Sequence, residues 1–280
     1  MSAANFLTER AVKKIISFSV YGDHPMYRVG ALENVRLAAR WYPGWTCRFY
    51  VSQEIPLACI EQLQAGNAEV VRKARKKHID GMFWRFLPVD DDDVDALVVR
   101  DSDSRITERE ALAVQEWGDN GAGFHIMRDH PLHQSLILGG LWGVRGECLH
   151  RMKQMIELWR WMRMLTGKGS FYRKGLDQDF LSQMVYPLIA HNVIIHSDLV
   201  RFEGERVTPF PTLRKHHEFV GQTVNERNTP LAEEVTALKE DSGQLKTYRR
   251  PRSFLSILLA YRPMRTLITS RLLGKKSSHD

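Results

Sequence analysis

Short apolar runs alternate along the chain with stretches of helical periodicity. Lys14–Val20 (KIISFSV) reads as a buried first strand ending in the polar turn Tyr21-Gly22-Asp23. Ala31, Val35, Ala38 and Ala39 recur at helical spacing within Val29–Tyr42, and Pro43-Gly44 stops that helix. Cys47–Val51 predicts a second strand, Ile55–Gln64 a short helix and Ala68–Val71 a third strand. Ala96–Val99 (ALVV) predicts a fourth, which runs directly into Arg100-Asp101-Ser102-Asp103-Ser104-Arg105. Thr107–Trp117 is helical, its start marked by Thr107 and Glu110 at capping-box spacing. Phe124–Met127 predicts a strand, Glu147–Leu165 a long helix, Gln178–Ile189 a further helix and Val193–Ile195 a short strand. Beyond this the pattern weakens. Asn225–Arg250 is polar and linker-like, and Ser253–Leu273 is amphipathic, interrupted at Pro263.

Strands separated by helices predict an α/β fold with a mixed, mostly parallel sheet flanked by helices and a C-terminal helical extension. Residues 1–228 form the expected catalytic domain, and residues 229–280 a linker and basic amphipathic tail. In such sheets ligands collect at the carboxyl ends of strands, so polar residues there are the ones to weigh.

Composition narrows the class. With 43% hydrophobic and 26% charged residues over 280 positions, disordered and fibrous chains are excluded. Cys47, Cys59 and Cys148 are odd in number and lack CxxC spacing, so reduced thiols are expected rather than a disulfide framework or zinc site. The start, MSAANFLTERAVKK, lacks the apolar core of a signal peptide, and no apolar run reaches membrane-spanning length. A reducing, cytoplasmic setting is expected.

The net charge of +7 suggests nucleic acid until its distribution is read. Nine Lys/Arg and one acid fall between Lys246 and Asp280, which leaves 31 basic and 32 acidic residues in 1–245. The excess lies beside an apolar stripe, the pattern of an interfacial helix. The partner expected of residues 253–273 is an anionic membrane surface, at the inner face of the membrane, the alternative being a helical hairpin packed on its own domain or on a partner subunit, and no nucleic acid is expected.

The sharpest chemical feature is Asp101-Ser102-Asp103. Two carboxylates two residues apart at a strand end can address one hard cation, which substrate phosphates then share. Arg85, set among aromatic residues in GMFWRF, is placed to grip a diphosphate. Leu138–Gly143 is glycine-dense, allowing close backbone approach, with Trp142 available to stack on a sugar ring. Asp177-Gln178-Asp179 opens a helix, and His196 follows a strand. His125, His130 and His133 show only a weak zinc-like spacing. Asp90–Asp93 reads as a solvated acidic loop and Arg72–Lys77 as a solvated basic one.

In this order, these features resemble the nucleotide-sugar-dependent glycosyltransferases of the GT-A fold. The style is that of bacterial surface-polysaccharide transferases, similar to the family that includes glycogenin and the bacterial lipopolysaccharide galactosyltransferases. The resemblance covers roughly residues 13–222. It implies that Asp101 and Asp103 hold a divalent metal (Mn²⁺ or Mg²⁺) on the diphosphate of a UDP- or GDP-sugar. By the same resemblance His196 is a third metal ligand, with His216 and His217 competing. Ser19, Tyr21 and Gly22 contact the nucleotide, Arg85 and Ser102 the donor, and Gly139 and Gly140 belong to the loop beside the glycan or lipid-linked acceptor. Asp177 and Asp179 form the acidic pair near the transferred sugar, and Asp129 is the candidate base. Two other readings compete: a metal-dependent phosphotransferase or phosphohydrolase with Asp101 as nucleophile, and a non-enzymatic protein that binds membrane or nucleic acid through its tail.

Overall fold

The computed structural model describes residues 12–74, 80–165 and 175–251. The amphipathic stretch 253–273 and part of the basic run 72–77 lie outside these residues. Strands are β1 (Lys13–Val20), β2 (Trp45–Ser52), β3 (Glu69–Lys73), β4 (Val94–Val99), β5 (Phe124–Arg128), β6 (Trp142–Arg145), β7 (Val193–Ser197), β8 (Val200–Phe202) and β9 (Lys246–Tyr248). Helices are α1 (Pro25–Trp41), α2 (Leu57–Ala65), α3 (Asp80–Trp84), α4 (Glu108–Asn120), α5 (Met152–Leu165), α6 (Leu176–Phe180), α7 (Tyr186–Ile189) and α8 (Ala232–Glu240).

Among the described residues, seven strands form one sheet in the order β3-β2-β1-β4-β6-β5-β7. All neighbours pair in parallel except β6, which is antiparallel to both β4 and β5. This is the mixed, mostly parallel α/β sheet that the alternating pattern predicts. Its central strands are apolar at consecutive positions because both faces are covered. Ile15, Leu97 and Val99 enter one core, with Phe180 and Trp159. Ile16, Phe18, Ala96 and Val98 enter the other, with Val35, Leu63 and Val114. Side chains that alternate at period 2 thus feed two layers from one strand.

The chain leaves β1 toward β2 and β3 on one side and returns to β4 on the other. A crevice therefore opens between the carboxyl ends of β1 and β4, at the point where strand order reverses.

The structure corrects several expectations. Trp142 is the first residue of β6 and fully buried, so it packs in the core and offers no face to a sugar. The polar stretch after Asn225 contains α8 and β9, and β9 pairs in parallel with β8. Asp90–Asp93 is not merely solvated. Asp90 accepts the Met152 and Lys153 amides (2.8 and 3.0 Å) and so caps α5 from a distance, Asp91 pairs with Arg48, and Asp93 lies 3.3 Å from Lys13. No helix among the described residues is long and apolar enough to cross a membrane.

Candidate functional site

A cavity of about 480 Å³ occupies the crevice. Ser19 and Tyr21 reach it from the end of β1, Asp101, Ser102 and Asp103 from the end of β4, and Arg85 from the residue after α3. Gly139 comes from the β5–β6 connection, and Asp177 and Gln178 from α6.

The DSD loop is held from below. Asn34, buried on α1, donates to the Ser104 carbonyl (2.8 Å) and accepts the Ile106 amide (2.9 Å). Gly30, one turn earlier, lies so close that a Cβ there would overlap the Ser102 carbonyl oxygen. The Ser102 hydroxyl donates to the Ser19 carbonyl (3.3 Å), which ties the ends of β1 and β4 together. Arg100 is a structural tie: its guanidinium is fully buried against Glu110 (2.9 Å) and the Tyr42 hydroxyl (3.2 Å).

Arg85 is the electrostatic centre. It is 7% exposed, its amide donates to the Ser19 hydroxyl (3.1 Å), and its fork spans Asp101 on one arm and Asp177 (2.7 Å) on the other. Gly139 lets the β5–β6 connection pass over that pair, since a Cβ there would run into both Asp177 and Arg85; Gly140 makes the same allowance for Asp101. Burial raises the pKa of Asp177, with Arg85 opposing and Asp101 reinforcing the shift. Burial likewise raises the Tyr21 hydroxyl, whose ring lies over the backbone of Gly81.

Other sequence-derived candidates sit elsewhere. Asp179 approaches Arg163 of α5 (3.9 Å) and does not line the cavity, because residues two apart on a helix point about 200° from one another. Asp129 is fully buried under Arg109 (2.8 and 2.9 Å), Arg214 (2.6 Å) and the Val220 amide (2.9 Å). A carboxylate so committed has no room for an acceptor proton. His196 is fully buried, with Nδ1 on His125 (2.8 Å) and Nε2 facing Glu116 (3.3 Å), and it does not line the cavity with Asp101 and Asp103. His216 and His217 do not line it either. Gly22 adopts φ +80°, a turn role with open space beside it.

The cavity also holds Tyr27, Thr223 and Glu234, which sequence reasoning did not select, and His130 and His133, which it weighed only for a weak zinc-like spacing. A glycine inside a helical pattern, such as Gly30, was a legible sign of close approach. Nothing in the polar stretch around Thr223 and Glu234 marked them.

Among the described lining residues, Asp101, Asp103, Asp177 and Glu234 supply four carboxylates against the one guanidinium of Arg85. An unaided diphosphate would meet net repulsion here. No group of three or more His, Cys, Asp or Glu arranged to hold a metal occurs among the described residues. Asp101 and Asp103 enter this cavity two residues apart from the end of β4, and paired carboxylates with substrate oxygens are a chemistry suited to hard cations.

Neither a protein-family model nor a curated protein matches the chain. Solved structures similar to it include galactosyltransferase LgtC in complex with donor and acceptor sugar analogs. That match has 14% identity over 68% of this chain and 76% of that one, with a TM-score of 0.44. Another is mannosyltransferase PcManGT from Pyrobaculum calidifontis in complex with GDP-Man and Mn²⁺, at 14% identity, 68% and 56% coverage and a TM-score of 0.42. A 4-diphosphocytidyl-2C-methyl-D-erythritol synthase matches at 14% identity, 61% and 85% coverage and a TM-score of 0.36. The match spans about half of PcManGT and also of a mycobacterial protein, the latter with 15% identity, 49% and 54% coverage and a TM-score of 0.35.

Proposed function

We propose that the chain is a metal-dependent glycosyltransferase. It moves a sugar from a nucleoside-diphosphate donor to a hydroxyl of a glycan or lipid-linked acceptor. One observation carries this reading: a crevice at the reversal of strand order, where nucleotides bind in open α/β sheets, is lined by carboxylates that repel a diphosphate unless a cation joins them.

Asp101 and Asp103 would hold that cation. When bound, a divalent metal neutralises the charge that develops on the departing diphosphate. The protein's own groups do the rest. Tyr21 and Tyr27 wall the side toward the nucleotide. Arg85 adds a fixed positive charge beside the leaving group and orients both Asp101 and Asp177. Asp177, buried against Arg85 and Gly139, places a carboxylate where positive charge grows on the anomeric carbon. In the transfer the anomeric C–O bond to phosphate breaks, a C–O bond to the acceptor forms, and the acceptor hydroxyl's proton passes to the departing diphosphate. The apolar and basic pattern of residues 253–273 supports a station at an anionic lipid surface, where lipid-linked acceptors reside.

The test is a melting-temperature screen of UDP- and GDP-sugars with and without Mn²⁺, run on the wild type and on Asp103→Ala. The expected result is a rise with at least one nucleotide sugar that needs Mn²⁺ and is lost in the variant. Stabilisation that ignores both Mn²⁺ and the substitution would overturn the site assignment.

A further inference from the structure

The β5–β6 connection carries a histidine that the reading above leaves without a role. The backbone amide of Asp129 donates to His133 Nδ1 (3.1 Å), so Nδ1 is the unprotonated nitrogen and the ring proton sits on Nε2. Nε2 has no protein partner among the described residues, yet it is not one of the sealed polar atoms, and the residue lines the cavity. The ring is clamped. Phe219 packs edge-on against it at 5.7 Å and stacks on His130 at 4.2 Å, and the His133 amide donates to the His130 carbonyl (2.9 Å). His130 is fixed in turn, accepting the Leu132 amide at Nδ1 (3.2 Å) and donating through Nε2 to the Glu234 carbonyl (2.8 Å). The node beneath is Asp129, whose carboxylate locks Arg109, Arg214 and the Val220 amide.

We propose that His133 is a substrate-binding residue: a neutral, rigid N–H donor whose Nε2 holds a sugar hydroxyl in the cavity. The proposal rests on the glycosyltransferase reading and deepens it. A sugar offers oxygen acceptors in directions that differ between epimers, and a donor that cannot rotate or gain charge discriminates among them. Burial, with His130, Arg128 and Arg214 nearby, pushes the His133 pKa down to about 3, so the ring stays neutral throughout the working range. Asp129 then acts as a positioning residue through its amide.

Two variants separate binding from architecture. Asn at this position can still accept the Asp129 amide but cannot reach the Nε2 site. Gln reaches the Nε2 site with an N–H but gives up the Asp129 contact. With the Mn²⁺-dependent nucleotide sugar found by the melting screen, His133→Asn is expected to keep the wild-type melting temperature and lose about tenfold in kcat/KM, the scale of one hydrogen bond. His133→Gln should recover most of that loss, and the wild-type to Asn ratio should stay constant across neutral pH. A loss seen in donor binding by calorimetry assigns the hydroxyl to the transferred sugar, and a loss confined to acceptor KM assigns it to the acceptor. His133→Asn with wild-type kinetics, or His133→Gln impaired as badly as His133→Asn, overturns the proposal while leaving the function intact. If no nucleotide sugar binds the wild type with Mn²⁺, the function itself fails and this inference falls with it.

Discussion

Arg85 concentrates the consequences of a single side chain. One guanidinium, nearly sealed from solvent, serves Asp101 just past the end of β4 and Asp177 of α6, 92 residues after Arg85 in the chain. Its planar fork can address two carboxylates at once, whereas a lysine is a point charge that can serve one. Removing one partner of a buried ion pair costs about 3–5 kcal/mol because the other charge is left uncompensated. Arg85→Ala is therefore expected to lower stability on that scale, read as a shift in the urea midpoint. Arg85→Lys should fold more nearly like the wild type but bind donor more weakly, because one of the two carboxylates swings out of place. Wild-type donor affinity in Arg85→Lys would refute the bridging role. Asp101 and Asp103 were readable as cavity candidates because strand-end polarity is written in the order of residues, Arg85 because it stands among aromatic residues, and Asp177 because it opens a helix. The placements of Asp129, Asp179 and His196 were not. Which way a polar side chain turns depends on partners such as Arg109 and Glu116, distant in sequence.

Helices and strands position these residues through backbone contact as much as through side chains. The N-terminal half of α1 presses Gly30 against the carbonyl of Ser102, and one turn on Asn34 stitches residues 104 and 106. Gly30→Ala leaves helix propensity no worse, so its effect must come from the clash. Displacing the DSD loop by about 1 Å is expected to cost on the order of 100-fold in transfer rate while the far-ultraviolet spectrum stays unchanged. A variant with full activity would show that the loop is not held by this contact. The strands at the sheet centre were legible because both faces are apolar, and α4 was legible because Thr107 accepts the Glu110 amide as the capping box predicts. Several elements were hidden for physical reasons. β6 has only four residues and begins inside a glycine-rich loop. α8 and β9 are half-exposed, so their sequences are polar. The helical run 176–189 is broken by a π-turn over Leu181–Val185, where Pro187 has no N–H for the carbonyl of Gln183.

At the scale of the whole molecule, four histidines packed against aromatic rings stay neutral more readily than free imidazoles. His125 and His196 pair inside the sheet, beside Trp117 and Phe210, and His130 and His133 lie against Phe219. Burial lowers the pKa of all four below the ordinary value of 6.5. The sign follows from proton counting. Between the lowered folded values and 6.5 the unfolded chain binds more protons, so stability is complete above about pH 6.5 and falls as pH drops below it. Each histidine contributes a slope of up to about 1.4 kcal/mol per pH unit in that window. Glu69 and Asp93, held below their ordinary values by Lys13 and Arg48, lose their contribution only further down, near the carboxylate range. Urea midpoints measured from about pH 7.5 to about 5.5 should therefore decline well before carboxylates protonate. His125→Gln should shallow that slope by the share of one proton, whatever its effect on absolute stability. A urea midpoint flat across the window would mean that these rings take up protons equally in the folded and unfolded chains, which would refute the effect of burial on them.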